Sequence, residues 1–114
     1  MKQGKPRLEE RSFRVEIERT DTVERVRVLG EMDLSVVAEV DSEMRRAEAT
    51  DASEIELDLD QLEFMDASGI HLLLELNHRS RSNGGRLRIR AASSPQVQRV
   101  LELTGVGALL PMVV

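Results

Sequence analysis

The chain has 114 residues and a mass of 12.8 kDa, enough for one domain with a buried core. Its formal net charge is −5, with no basic block beyond the first few residues, and Phe13 and Phe64 are its only Phe, Tyr or Trp residues. That composition argues against direct nucleic-acid binding, which needs a concentrated basic surface and aromatic platforms for the bases.

The absence of cysteine excludes disulfides, thiolate metal sites and a cysteine nucleophile. Apolar runs such as Leu72-Leu73-Leu74 and Met112-Val113-Val114 fall far short of the ~20 residues of a membrane-spanning helix. No apolar segment follows the basic N-terminus as it would in a secretory signal. The expectation is a soluble cytoplasmic module with no membrane insertion.

Residues 1–11 carry no pattern and read as a flexible tail, with 12–114 forming a single domain. Phe13, Val15 and Ile17 alternate with Arg14, Glu16 and Glu18, and Val26 and Val28 alternate with Arg25 and Arg27. Period two with one apolar face predicts two strands, and Thr20-Asp21 between them suits an antiparallel turn. From Leu34 the period changes: Leu34, Val37, Val40, Met44 and Ala47 form a helical stripe, with Asp33 or Ser35 placed to cap it.

A third strand follows, with Ile55, Leu57 and Leu59 opposite Glu54, Glu56, Asp58 and Asp60. Gln61 to Ala67 reads as a loop into a second helix that begins near Ser68 and ends at Asn83-Gly84-Gly85. Its apolar positions are Ile70, Leu72, Leu73, Leu74 and Leu76. Leu87 and Ile89, opposite Arg86, Arg88 and Arg90, make a fourth strand. Ser94-Pro95 then starts a third helix that Gly105 stops, and Leu109 to Val114 suit a short extended segment.

The charges on the outward faces give the strand order. The second and fourth strands show arginines there and the third shows acids; opposite charges on neighbouring strands stabilise a sheet and like charges cost it. The acidic strand therefore lies between the two basic ones, in order 1-2-3-4. Right-handed crossovers taken in one direction put both connecting helices on the same side. The expected architecture is α/β: a mixed four-stranded sheet, first strand antiparallel, helices mainly on one face, and a charged face open to solvent.

No catalytic constellation emerges. Asp66-Ala67-Ser68-Gly69 lacks the glycine two residues before the serine that a nucleophile elbow needs, and His71 and His78 read as exposed polar residues of the helix. The acids form no calcium-type loop, and two histidines seven apart do not face one centre, so no metal site is expected. Gly84-Gly85 and Gly105-Val106-Gly107 read as turn or cap glycines rather than phosphate cradles. Ser68 remains the informative residue. It is either a plain helix cap or an anion-tolerant site, where a phosphate would change the surface a partner meets without unfolding the helix.

Asp58-Leu59-Asp60-x-Leu62-x-Phe64-Met65-Asp66-Ala67-Ser68-Gly69-Ile70 resembles the signature of the STAS domain, specifically the bacterial anti-sigma factor antagonists. Gly30-Glu31-Met32-Asp33-Leu34, Gly84-Gly85-Arg86-Leu87 and Ser94-Pro95-x-Val97 … Leu101-x-Leu103-Thr104-Gly105 resemble further elements of that family in the same order. The resemblance spans residues 13 to 112, and the strand order derived from charge agrees with the STAS fold.

The resemblance implies partner switching. The unphosphorylated chain would bind an anti-sigma factor, itself a serine kinase of the histidine-kinase-like ATPase type, and so release a sigma factor. Phosphorylation of Ser68 would abolish binding, and a metal-dependent serine/threonine phosphatase would reset the switch. It further implies a partner surface at Asp33, Asp66, Ala67, Gly69 and Ile70, with Gly69 keeping the first turn open to the kinase. The chain itself would have no cofactor and no turnover.

Ala67 stands where many members have a second serine. Many also continue into another helix, so Leu109, Leu110, Met112, Val113 and Val114 are expected to be less covered and to offer a homodimer contact. The alternatives are a STAS subunit or scaffold regulating a membrane transporter or signalling complex, a small esterase using Ser68, and a structural module in which Ser68 is only a cap.

Overall fold

The computed structural model describes residues 13–113; the expected tail over 1–11, the first domain residue at 12 and Val114 lie outside them. The elements in order are β1 (Phe13–Arg19), β2 (Val23–Met32), α1 (Val37–Glu48), β3 (Glu54–Asp58), β4 (Leu62–Met65), α2 (Ala67–Ser82), β5 (Leu87–Arg90), α3 (Pro95–Thr104), a 3-10 turn at Val106–Leu109 and β6 (Met112–Val113). β1 runs antiparallel to β2, and the other strand pairs are parallel. The order along the sheet is β1-β2-β3-β5-β6, with β4 paired to the end of β2.

The expected order of the four patterned strands holds as β1-β2-β3-β5, and two short strands are added to it. β4 occupies the stretch expected to be a loop. Its exposure does not alternate: Leu62 and Met65 are buried while Glu63 and Phe64 are both exposed, so no period of two marks it. β6 lies in the expected extended segment and pairs with β5. Of the apolar residues expected to be uncovered there, Leu109 is exposed, whereas Leu110 belongs to the core.

Val26, Val28, Leu57 and Ile89 on the inner sheet face pack with Val40 and Met44 of α1 and Leu73 and Leu76 of α2 in one core. The start of α1 differs from expectation. Leu34 is 75% exposed, and the helix begins at Val37, so Leu34 lies outside the stripe. Neither Asp33 nor Ser35 caps it; the N-cap position is Val36, which makes no side-chain cap bond. α3 follows its pattern: the Ser94 side chain accepts from Val97 N, Pro95 opens the first turn, and Gly105 ends the helix at φ 72°.

The outer face carries the charge ladder that set the order, and it is more closed than the pattern implied. Arg25 and Arg27 lie opposite Glu56 and Asp58, which lie opposite Arg88 and Arg90. Glu56 and Asp58 are each only 3% exposed, because the arginine side chains lie across them. Glu56 accepts from Arg25 Nε at 2.5 Å and from Arg90 Nε at 2.9 Å. Asp58 accepts from Arg27 Nε at 3.1 Å and from the backbone N–H of Asp60 at 2.9 Å. Beside Glu56 the Arg25 guanidinium is held above its ordinary value, chiefly by that hydrogen bond, and Arg27 is raised likewise beside Asp58.

Arg86, expected on the outer face, instead donates to the carbonyls of Glu48, Thr50 and Ala52, satisfying the C-terminal end of α1. A buried acid bridging two arginines is costly to remove, since both cations lose a desolvated acceptor. Glu56→Ala is expected to lower stability by about 2–3 kcal/mol. Urea unfolding should show this as a lower midpoint with an unchanged slope.

Candidate functional site

β2 and β4 end side by side, with Met32 paired to Met65, and the site is built on the chain that leaves them. Asp66 follows β4, and its N–H donates to Met32 O at 3.3 Å. Its side chain, not that of Ser68, caps α2: Asp66 Oδ1 accepts from Ser68 N at 2.9 Å and from Ser68 Oγ at 2.5 Å. Asp66 O also accepts from Gly69 N and Ile70 N. The plain-cap reading of Ser68 is thus corrected. Ser68 lies in the first turn of α2, and its hydroxyl is a donor to the cap. The negative charge that a helix N-terminus favours is already supplied by Asp66.

The residues expected at a partner surface separate into two groups. Ala67 is exposed, and Asp33, Asp66 and Ser68 are half-buried at the rim. Gly69 and Ile70 are buried and meet no surface. Gly69 therefore does not keep the outside of the turn open. A Cβ at this position would collide with Met65 Cγ and lie 3.1 Å from Met65 Sδ, so the missing side chain lets α2 start directly against β4.

Sequence reasoning missed the residues that hold this turn from behind. β4 has β2 on one side and no strand on the other among the described residues. The first turn of α3 takes the place of a strand there. Ser94 Oγ donates to Glu63 O at 2.9 Å, Gln96 Nε2 donates to Met65 O at 3.1 Å, and Met65 N donates to Gln96 Oε1 at 3.0 Å. Gln96 is the unspecified position in Ser94-Pro95-x-Val97, and only its amide, able to donate and accept at once, could have marked it.

In front of Ser68 a shallow groove of about 290 Å³ separates α1 from α2, lined among others by Leu34, Val37, Asp41, Ser68, His71 and Leu72. His71 and His78 are both exposed, as the helix pattern implied. Asp41 ties the two walls together, accepting from Arg79 Nη2 at 2.9 Å and from Arg45 Nε at 3.0 Å. Burial pushes the Asp41 carboxyl up, but the hydrogen bonds from Arg79 and Arg45 outweigh it and hold the group below its ordinary 3.8. Among the described residues no group of His, Cys, Asp or Glu is arranged to hold a metal ion, and no helix is long and apolar enough to cross a membrane.

Fold and site together define a small mixed-sheet α/β domain that presents a carboxylate-held serine at an open helix start. The STAS domain model matches residues 14–113, and the chain belongs to that family. Its structure is similar to that of an anti-sigma factor antagonist from Mycobacterium paratuberculosis, with TM-score 0.76 and 23% identity over 90% of this chain and 86% of that one. It is also similar to the anti-sigma factor antagonist SpoIIAA in its unphosphorylated form, with TM-score 0.69 and 25% identity over 90% and 88% of the two chains. The Bacillus SpoIIAA in its phosphorylated form matches with TM-score 0.63 and 24% identity over 90% and 91%.

Two outcomes test this geometry. Gln96→Ala leaves both backbone groups of Met65 without partners, and hydrogen exchange at the Met65 amide should accelerate about tenfold. Exchange in β3 should change far less. Asp41, with its pKa lowered on folding, contributes stability above its unfolded value that is lost as pH falls through the folded one. Asp41→Asn should therefore cost about 1 kcal/mol at pH 7. In urea titrations that difference should shrink toward zero as the pH is taken well below 3.8.

Proposed function

We propose that this chain is an anti-sigma factor antagonist whose binding is controlled by phosphorylation of Ser68. In the unphosphorylated form it binds a cytoplasmic anti-sigma factor that is also a serine kinase of the histidine-kinase-like ATPase type, and a sigma factor is released. The observation that carries this reading is the half-exposed Ser68 hydroxyl at the rim of the groove, held by Asp66 at the start of α2. The similarity to SpoIIAA, known in unphosphorylated and phosphorylated forms, supports it.

Phosphorylation would replace a hydroxyl donor by a group of about −1.5 to −2 charge. The bond from Ser68 Oγ to Asp66 is lost, and the new charge stands beside Asp66 at a groove that also contains Asp41. A partner fitted to the groove meets both bulk and like-charge repulsion. The core is untouched, so the modification changes recognition rather than folding. A serine/threonine phosphatase restores the binding form. ATP belongs to the kinase, and this chain acts by binding, without turnover.

Ser68→Asp places a carboxylate in the first turn of α2, where the helix end favours it, and should keep the wild-type circular dichroism spectrum. Used with wild type as paired baits in native lysate, it should lose a small ATPase-type kinase that wild type retains, at least tenfold by mass spectrometry. Equal recovery of that kinase by both baits, or capture of only transporter or scaffold components by both, would sink the proposal.

A further inference from the structure

Met32-Asp33-Leu34-Ser35 and Met65-Asp66-Ala67-Ser68 are the same motif twice, Met-Asp-x-Ser, at the ends of two paired parallel strands. Met32 and Met65 are fully buried and face each other in register, so the two aspartates leave the sheet from one rim. The side-chain bonding is also repeated. Asp33 Oδ1 accepts from Ser35 N at 2.9 Å and from Ser35 Oγ at 2.6 Å; for Asp66 and Ser68 the values are 2.9 and 2.5 Å.

We infer that Ser35 is a second phosphoacceptor of this chain, presented to the same kinase by the same turn that presents Ser68. The inference rests on the reading of Ser68 as the first acceptor. Two further observations support it. Ser35 is exposed, more open than the half-buried Ser68, and Leu34 beside it lines the groove together with Ser68. A kinase seated over Ser68 therefore reaches the Asp33 turn without rearrangement of the sheet.

The second observation is the uncapped start of α1, where the N-cap position is Val36 and no side chain accepts from the helix. A phosphate on Ser35 stands just before that N-terminus, where negative charge is favoured and the N-cap residue makes no side-chain bond of its own. The transfer is an ordinary one: Ser35 Oγ attacks the γ-phosphorus of kinase-bound ATP, the bond to the β,γ-bridging oxygen breaks, and ADP leaves. The hydroxyl proton, held until then by the Asp33 carboxylate, passes to a base of the kinase. Ser68 lines the groove at the head of α2, and Ser35 follows Leu34, which lines it from the side of α1, so double modification adds charge both in the groove and beside it.

The test is to incubate the full chain with magnesium ATP and clarified lysate of the source organism, then map phosphate by intact mass and by peptide sequencing. Wild type, Ser35→Ala, Ser68→Ala and the double variant are compared. The expected result is up to two phosphates on wild type, one on Ser35 in Ser68→Ala, one on Ser68 in Ser35→Ala, and neither in the double variant. Phosphate on Ser68 with none on Ser35, in wild type and in Ser68→Ala alike, overturns the inference while the reading of Ser68 stands, and leaves Ser35 as a turn-closing residue only. Phosphate on Ser35 alone supports Ser35 as an acceptor and overturns Ser68; phosphate on neither overturns both. The wild-type map decides the question even where a variant folds poorly.

Discussion

β2 has to serve two neighbours in succession on the same edge. Its first half, Val23–Arg27, pairs with β3, and its last residues, Gly30 to Met32, pair with β4. Within the pairing to β4 the register shifts at Gly30/Glu31, and Gly30 takes φ 92°, a left-handed conformation that a side chain would strain. Strand pairing alternates faces with every residue, so a single slip would turn Met32 out of the core. The irregularity is what brings Met32 level with Met65 and ends both strands on one rim. The head of α2, the Asp33 turn and the groove between α1 and α2 all depend on that alignment.

The opposite face of the sheet solves a different problem. Parallel strands are usually covered on both sides, yet among the described residues the helices pack on the inner face and none forms a layer over the outer one. The arginines supply a partial cover. Their aliphatic stems lie over the central acids while the guanidinium groups satisfy the carboxylates, so Glu56 and Asp58 are buried by side chains of their own sheet. Alternating sign across four strands also selects which strands are neighbours, because two strands of like sign placed side by side would repel.

These two constraints were unequally legible. The ladder could be read from sequence because cross-strand charge is a residue-by-residue property, and it gave the correct order of β1, β2, β3 and β5. Ser94-Pro95 and Gly105 were legible because cap chemistry is local. β4 was not: with Glu63 and Phe64 both exposed, its pattern resembles a loop, and its existence depends on β2 running long. Gln96 was hidden for a related reason, since an amide at the second position of a helix has no partner until β4 is placed beside it.

The candidate site was legible in position and misassigned in detail. Ser68 falls at a helix start as the pattern indicated, but both Asp66 and Ser68 are competent caps, and the choice between them turns on two residues of helix boundary. Gly69 was misread because glycine at a helix start suggests exposure, whereas here it admits the Met65 side chain from inside. Leu34 continues the apolar spacing of α1 into residues that are not helical, which made a surface residue look like core.

The identity of the cap matters to the proposed switch. Were Ser68 itself the cap, phosphorylation would put the phosphate on the atom that satisfies the helix N–H groups, and signalling and folding would be coupled through one oxygen. With Asp66 as cap, Ser68 N remains bonded to the carboxylate when the hydroxyl proton is replaced, and the Asp66 carbonyl keeps its bonds to Gly69 and Ile70. In the proposed switch the helix loses one hydrogen bond, from a half-buried hydroxyl to a carboxylate, which is worth about 1.5–3 kcal/mol. In that switch the aspartate holds the structure and the serine carries the signal, so the surface changes while the helix keeps its cap.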